Sequence, residues 1–257
     1  MPDASSDYVV RLARDPAEVE AAQHLRYQVF VQELGGDGEM VDHERQLEQD
    51  RFDPFFDHLL LLDPARGQAI RDQVVGVYRL LTEEGAEAAG QFYSEDEYDL
   101  NLLRKSGRKL LELGRSCLHP DHRGGMGMYL MWQALSDYVE ARGIELLFGT
   151  ASFHGTDLTD LSHPLSLLHH RYLAPADLRV RTQPAAYQSM DLVPEDQIDR
   201  PAAMRAIPAL IKGYLRLGGM VGDGAYVDHA FNTTDVFLIL DTNRLSDAQA
   251  RIYGQKR

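Results

Sequence analysis

Apolar and polar positions follow two rhythms along this chain. Short, nearly continuous apolar runs of strand length occur at Tyr8 to Leu12, His58 to Leu62, Val74 to Leu81, Lys109 to Leu118, Ile144 to Phe148 and Val236 to Leu240. Elsewhere apolar residues recur at helical spacing. Asp15-Pro16-Ala17-Glu18 starts a helix, with Asp as N-cap, Pro at the first position and Glu at the third. That helix is expected to run to about Leu34, where Gly35 and Gly36 end it. Met128, Met131, Leu135 and Val139 mark a helix that Gly143 stops, His163 to Leu173 a shorter one, and Ala202 to Leu217 another that ends at Gly218-Gly219. Residues 35 to 57 read as a long polar loop, 63 to 72 as a turn, 83 to 108 as weakly patterned, Thr150 to Asp157 as a polar loop and 183 to 200 as a connection. Strands alternating with helices predict an α/β (α+β) fold, one sheet with helices on both faces. The expected organisation is a core over residues 1–182 and an extension over 183–257 packed on the same domain.

The chain is organised around Lys109 to Leu135. Pro120 stops the strand there, because proline has no N–H for a ladder. Arg123-Gly124-Gly125-Met126-Gly127 makes a glycine-rich turn, and a helix follows. Strand, glycine turn and helix together point free backbone N–H groups at a phosphate. The strand carries two charged residues, Glu112 and Arg115, and each is costly there unless paired or used. The segment therefore reads as an anion-binding turn beside a carboxylate that can act as a base; a structural Glu112–Arg115 ion pair is the competing reading. Residues three apart on a regular strand face opposite sides. A shared site for Glu112 and Arg115 thus requires a β-bulge between Leu113 and Ser116.

Charge narrows the function. Lys and Arg number 26 against 40 Asp and Glu, a net −14 with pI near 5.1, which excludes the basic footprint of a nucleic-acid binder. The single cysteine, Cys117, forms no internal disulfide and reads as a small buried hydrophobe. The N-terminus has no signal-peptide pattern and no run approaches the roughly 20 apolar residues of a membrane span, so a cytoplasmic location is expected. His154, His163, His169 and His170 cluster without a metal-binding pattern, and Glu48, Asp50 and Asp53 lack the spacing of a calcium loop; no metal is expected.

His122-Arg123-Gly124-Gly125-Met126-Gly127 resembles the phosphate loop of the GNAT acyltransferase superfamily, with His at the first position. Arg26 and Phe30 are similar to the R-x-x-x-F of acyl-homoserine-lactone synthases, a GNAT branch. Glu48, Asp50 and Asp53 resemble their acidic trio, Arg79 their strand arginine, and Glu112 with Arg115 their E-x-x-R; Gly114 stands where those enzymes carry Ser. The stretches Glu112 to Arg123 and Ser152 to Asp157, with the tail Leu210 to Leu240, resemble the L-ornithine N-acyltransferases and related haemolysin-like proteins more closely. This second resemblance covers nearly the whole chain.

The resemblance implies a mixed, mostly antiparallel twisted sheet. It also implies transfer of a (3-hydroxy)acyl chain from acyl carrier protein to the α-amino group of ornithine, giving lyso-ornithine lipid. The acyl-phosphopantetheine thioester is then a substrate, and no cofactor is expected. Glu112 is the implied base, with Arg115 as its catalytic companion. A backbone N–H near Gly114 would stabilise the oxyanion. Arg26, Phe30, Glu48, Asp50, Asp53 and Arg79 are the implied substrate-binding residues, with Asp50 and Asp53 on the side-chain ammonium of ornithine. His122, Arg123, Gly124, Gly125 and Gly127 would hold the phosphopantetheine arm. Arg104, Lys105, Arg108 and Lys109 are the candidate docking patch for the acidic carrier protein. In the expected helix Ala202 to Leu217, Arg205, Lys212 and Arg216 form a basic face suited to peripheral contact with an anionic membrane at the inner face. Two other functions compete: synthesis of acyl-homoserine lactone, and a haemolysin-like, membrane-associating protein without turnover.

Overall fold

The computed structural model describes residues 8–245. In chain order the elements are β1 (Val9–Leu12), α1 (Pro16–Arg26), β2 (Asp57–Leu62), α2 (Ile70–Gln73), β3 (Val74–Thr82), α3 (Glu83–Ala89), β4 (Tyr98–Asp99), α4 (Asn101–Arg104), β5 (Leu110–Leu118), α5 (Gly127–Arg142), β6 (Leu146–His154), α6 (Leu158–Tyr172), β7 (Arg181–Thr182), α7 (Arg200–Ala206), α8 (Ala209–Arg216), β8 (Met220–Asp228) and β9 (Thr233–Asp241). The strands form one mixed, mostly antiparallel sheet in the order β1-β2-β3-β5-β6-β9-β8-β7-β4; the parallel neighbours are β5–β6 and β7–β8. Met131 and Leu135 of α5, Leu165 of α6 and Ile211 of α8 pack on one face. Ala21, Ala22 and Leu25 of α1 pack with Leu60, Val77 and Cys117 on the other, so helices cover both faces as expected.

Asp15 does cap α1, accepting from the Glu18 N–H. The helix widens at Tyr27–Glu33 into π-helical turns and closes at Gly35, whose φ of 76° suits glycine. Three expectations need correction. The helix Ala202 to Leu217 is two helices, because Pro208 removes an N–H and Ile207 turns extended, with ψ of 131°. The loop from Thr150 is strand: β6 runs to His154 and pairs with β9 at nine positions. Its polar residues Thr150 and Ser152 line a cavity, which breaks the apolar run without ending the strand. Strand β8 was not anticipated; Gly222 and Gly224 interrupt its apolar pattern where its register with β9 shifts between Val221 and Ala225. Residues after 182 supply α7, α8, β8 and β9. β9 lies inside the sheet beside β6, and residues 246–257 fall outside the described residues.

Candidate active site

The site forms where the sheet comes apart. β5 and β6 pair only from Leu110↔Leu146 to Glu112↔Phe148. Beyond that point β6 stays with β9 and β5 with β3, so the two central strands splay. Gly149 stands at the vertex. A Cβ there would lie 2.1 Å from the Leu113 carbonyl oxygen, an approach only glycine permits.

The expected bulge is present on β5. Gly114 pairs with Arg79 and Cys117 with Val77, so Arg115 and Ser116 together face Tyr78, and Arg115 has φ of 50°. The bulge brings Glu112 and Arg115 to the same residue, Tyr93. The Glu112 carboxylate accepts from the N–H groups of Tyr93 at 2.6 Å and Ser94 at 2.8 Å. Arg115 donates to the Tyr93 hydroxyl at 3.0 Å. The direct Glu112–Arg115 ion pair is therefore replaced by a shared loop. Burial pushes the Glu112 pKa up to about 7, against the hydrogen bonds from Ser94 and Tyr93 that hold it down.

Arg115 instead joins a buried network. Arg26 pairs with Glu48 and, at 2.6 Å, with Asp53. Arg79 donates to both oxygens of Asp50 at 2.8 Å and to Asp53 at 2.7 Å. Arg115 donates to Glu48 at 3.2 Å and stands 3.5 Å from Asp50. Three arginines thus meet three carboxylates. Burial works to raise the Asp53 pKa, but Arg26 and Arg79 hold it well below the usual carboxylate range. The ring of Phe56 lies 4.2 Å from the Arg79 guanidinium.

Two cavities meet at the splay and share Gly114, Arg115, Ser116, Thr150, Ala151 and Leu210. One is apolar, between Leu113, Leu147, Leu238 and Leu240 and the tyrosines Tyr78 and Tyr214. The other, of about 210 Å³, is polar: Arg115, Tyr93, Asp228 and Asp235 line it with Phe30 and Phe231. Of the six residues expected to bind substrate, Phe30 lines this cavity. Asp50 and Asp53 are engaged by arginines. Tyr93, Phe231, Asp228 and Asp235 escaped the sequence reading, although Phe231 and Asp235 lie in the tail whose family resemblance was noted. Cys117 is buried and its thiol pKa is pushed up to about 12 by desolvation, which keeps it a hydrophobe.

The glycine turn has the expected form. Gly124 has φ of 75°, and the N-cap position of α5, Met126, supplies no side-chain hydrogen bond, so the first N–H groups of the helix stay available. A Cβ on Gly125 would meet nothing within 4 Å, which leaves the turn open. Arg123 is fixed by a two-pronged pair with Glu33 at 2.7 Å. His122 bonds to the Tyr8 hydroxyl at 2.7 Å and to Arg66 at 3.1 Å. The expected docking patch does not lie here. Arg104 pairs with Glu95, Arg108 with Asp241, and Lys109 donates to the Arg142 carbonyl. These residues, with Lys105, precede β5, whereas the turn follows it, a strand length of about 26 Å away.

A parted pair of parallel strands, an open glycine turn and a bulge at the junction make this a GNAT-fold acyltransferase, and residues 25–133 match the family model described as an acetyltransferase (GNAT) domain. More specifically, the chain belongs to the L-ornithine N(alpha)-acyltransferase family. It is 55% identical to the L-ornithine N(alpha)-acyltransferase of Rhodobacter capsulatus, covering 100% of this chain and 98% of that one. The enzyme of the same name from Brucella abortus is 46% identical, with 95% and 88% covered. Among solved structures, the AHL synthase LasI shares the fold at 16% identity and a TM-score of 0.51, over 98% of this chain and 100% of that one. FeeM, an N-acyl amino acid synthase from uncultured soil microbes, does so at 12% identity and 0.50, over 93% of each.

Proposed function

We propose that this acyltransferase moves a (3-hydroxy)acyl chain from acyl carrier protein to the α-amino group of L-ornithine, giving lyso-ornithine lipid. The observation that carries this reading is the junction of an apolar and a polar cavity at Gly114–Ser116. The apolar cavity suits an acyl chain and the polar one an amino acid. The thioester carbonyl then sits between them, beside a strand whose ladder to β6 has ended and whose bulge frees backbone N–H groups for the oxyanion. Glu112 takes the proton from the attacking amine. Because it does not line the cavity, one water relays the proton past Tyr93. Arg115, fixed by Glu48 and Tyr93, faces the α-carboxylate.

The glycine turn, open at Gly124 and Gly125 and closed by Gly127 against Leu61, holds the phosphate of the carrier's phosphopantetheine arm. Arg66 stands close by, bonded to His119 and His122. Among the described residues no helix is long and apolar enough to cross a membrane. Peripheral contact at the inner membrane face would fall to Arg205, Lys212 and Arg216, which lie on α7 and α8. Mass spectrometry of a reaction containing purified enzyme, 3-hydroxyacyl carrier protein and ornithine tests the function. The expected product is Nα-acylornithine. Lactone formed from S-adenosylmethionine in place of ornithine would overturn this reading, as would the absence of any acylated product.

A further inference from the structure

The polar cavity contains acidity that the buried arginine network does not use. Asp235, at the start of β9, lines the cavity and is 6% exposed, and its Oδ1 has no hydrogen-bond partner. Glu97, just before β4, is 7% exposed, and its Oε2 is likewise without a partner. The two are near neighbours. Tyr98 donates to the Asp235 carbonyl at 2.9 Å, and each carboxylate raises the proton affinity of the groups around it: burial and then Asp235 push the Glu97 pKa well up. Burial pushes Asp235 up to about 6, against Ser152 and Thr233. Asp228 lines the same cavity, with its Oδ1 accepting the N–H groups of Ala230 and Phe231. An unpartnered buried carboxylate is costly, and two together are costlier. The natural remedy is a cation. Among the described residues no group of three His, Cys, Asp or Glu side chains is arranged to hold a metal ion, which points to an organic cation.

We propose that Asp235, which lines the polar cavity, with Glu97 behind it outside the lining, forms the subsite for the side-chain ammonium of the diamino-acid acceptor, at the end of the cavity away from the thioester. The inference rests on the reading of ornithine as acceptor and adds what distinguishes it from a neutral amino acid. It also explains a choice of nitrogen. The two amines of ornithine are both strong nucleophiles once deprotonated. One held between two carboxylates stays an ammonium, with no lone pair to attack the thioester, and only the α-amine is released to react. The transfer itself balances in the ordinary way: the N–C bond forms, the C–S bond breaks, the amine proton leaves to the base and the thiolate is protonated.

Norvaline, with the same carbon skeleton and no side-chain amine, is the probe. Calorimetric binding and steady-state acylation of ornithine and norvaline are compared for the wild type, Glu97→Gln, Asp235→Asn and the double variant. The wild type is expected to favour ornithine. Each variant should lower the ornithine-to-norvaline ratio by about 10- to 100-fold, chiefly through ornithine affinity and KM, as expected for loss of a charge-assisted contact. The double variant should also release Nδ-acylated product. Glu97→Gln keeps the side-chain shape and provides the result if Asp235→Asn fails to fold. Acylation of ornithine with an unchanged ratio in a folded variant would overturn the subsite and leave the acyltransferase reading standing. Ornithine binding that is lost in the variants, without acylation by the wild type, would support the subsite and overturn that reading.

Discussion

Glu112 is held by two backbone N–H groups from a loop that also carries Tyr93, so its charge, its position and the loop's conformation are linked. As a base it works in the ionised form, which predominates above a pKa pushed up to about 7 by burial. Turnover should therefore rise with pH through about 7 and then level off. Glu112→Gln cannot accept the proton, and kcat is expected to fall by about 10²–10⁴, the range for general-base catalysis, with the step near 7 abolished. Thermal unfolding of the same variant checks that the fold persists. Turnover within a few-fold of the wild type at neutral pH would remove Glu112 from proton transfer. Its partner in sequence, Arg115, works at a different scale of cost: it is tied to Glu48, Asp50 and Tyr93, so a change there disturbs a buried network as well as the proposed substrate contact.

Among elements, β5 was the most legible from sequence and β8 the least. The apolar run, Pro120 and the glycine turn marked β5, and the i, i+3 spacing of Glu112 and Arg115 required the bulge that is found. β8 carries two glycines and Asp223 within nine residues, and its pairing with β9 is what makes it a strand. Sequence patterning registers local preference; it does not register a partner strand contributed from elsewhere. The same limit hid the acidic residues of the polar cavity, since Asp228 and Asp235 are far along the chain from Arg115, which they face across it. The splay of β5 from β6 depends on Gly149 fitting against the Leu113 carbonyl. Gly149→Ala should lower stability by about 1–3 kcal/mol, the usual cost of overpacking, read as a fall in unfolding midpoint. A variant as stable as the wild type would mean that the vertex relaxes without loss.

Viewed as a whole molecule, the chain carries a net charge of −14, and on the proposed reading it receives an acidic carrier protein. Favourable docking therefore needs local cations near the glycine turn. The cations before β5 lie a strand length from the turn and are largely engaged with Glu95, Asp241 and a carbonyl. Arg66 lies beside the turn, and its acidic neighbour Asp121 is 3.9 Å away and 77% exposed. Arg66→Glu should raise the KM for acyl carrier protein by about tenfold at low salt and flatten its salt dependence. Lys105→Glu should change neither. If Lys105→Glu has the larger effect, the carrier approaches from the opposite end of β5.

The parting of β5 from β6 also sets the order of events during turnover. On the proposed reading each reactant has its own chamber, and the chambers share Gly114, Arg115, Ser116, Thr150, Ala151 and Leu210 along the opening. Neither reactant has to vacate space for the other, and the one thiol nearby stays protonated. Both reactants are therefore aboard when the new bond forms, and no acyl group rests on the protein between them. Double-reciprocal plots of initial rate against one reactant, at several fixed levels of the other, should give lines that intersect. Parallel lines, together with an enzyme that gains the mass of an acyl chain when the amino acid is withheld, would show that the two halves of the reaction are separated in time.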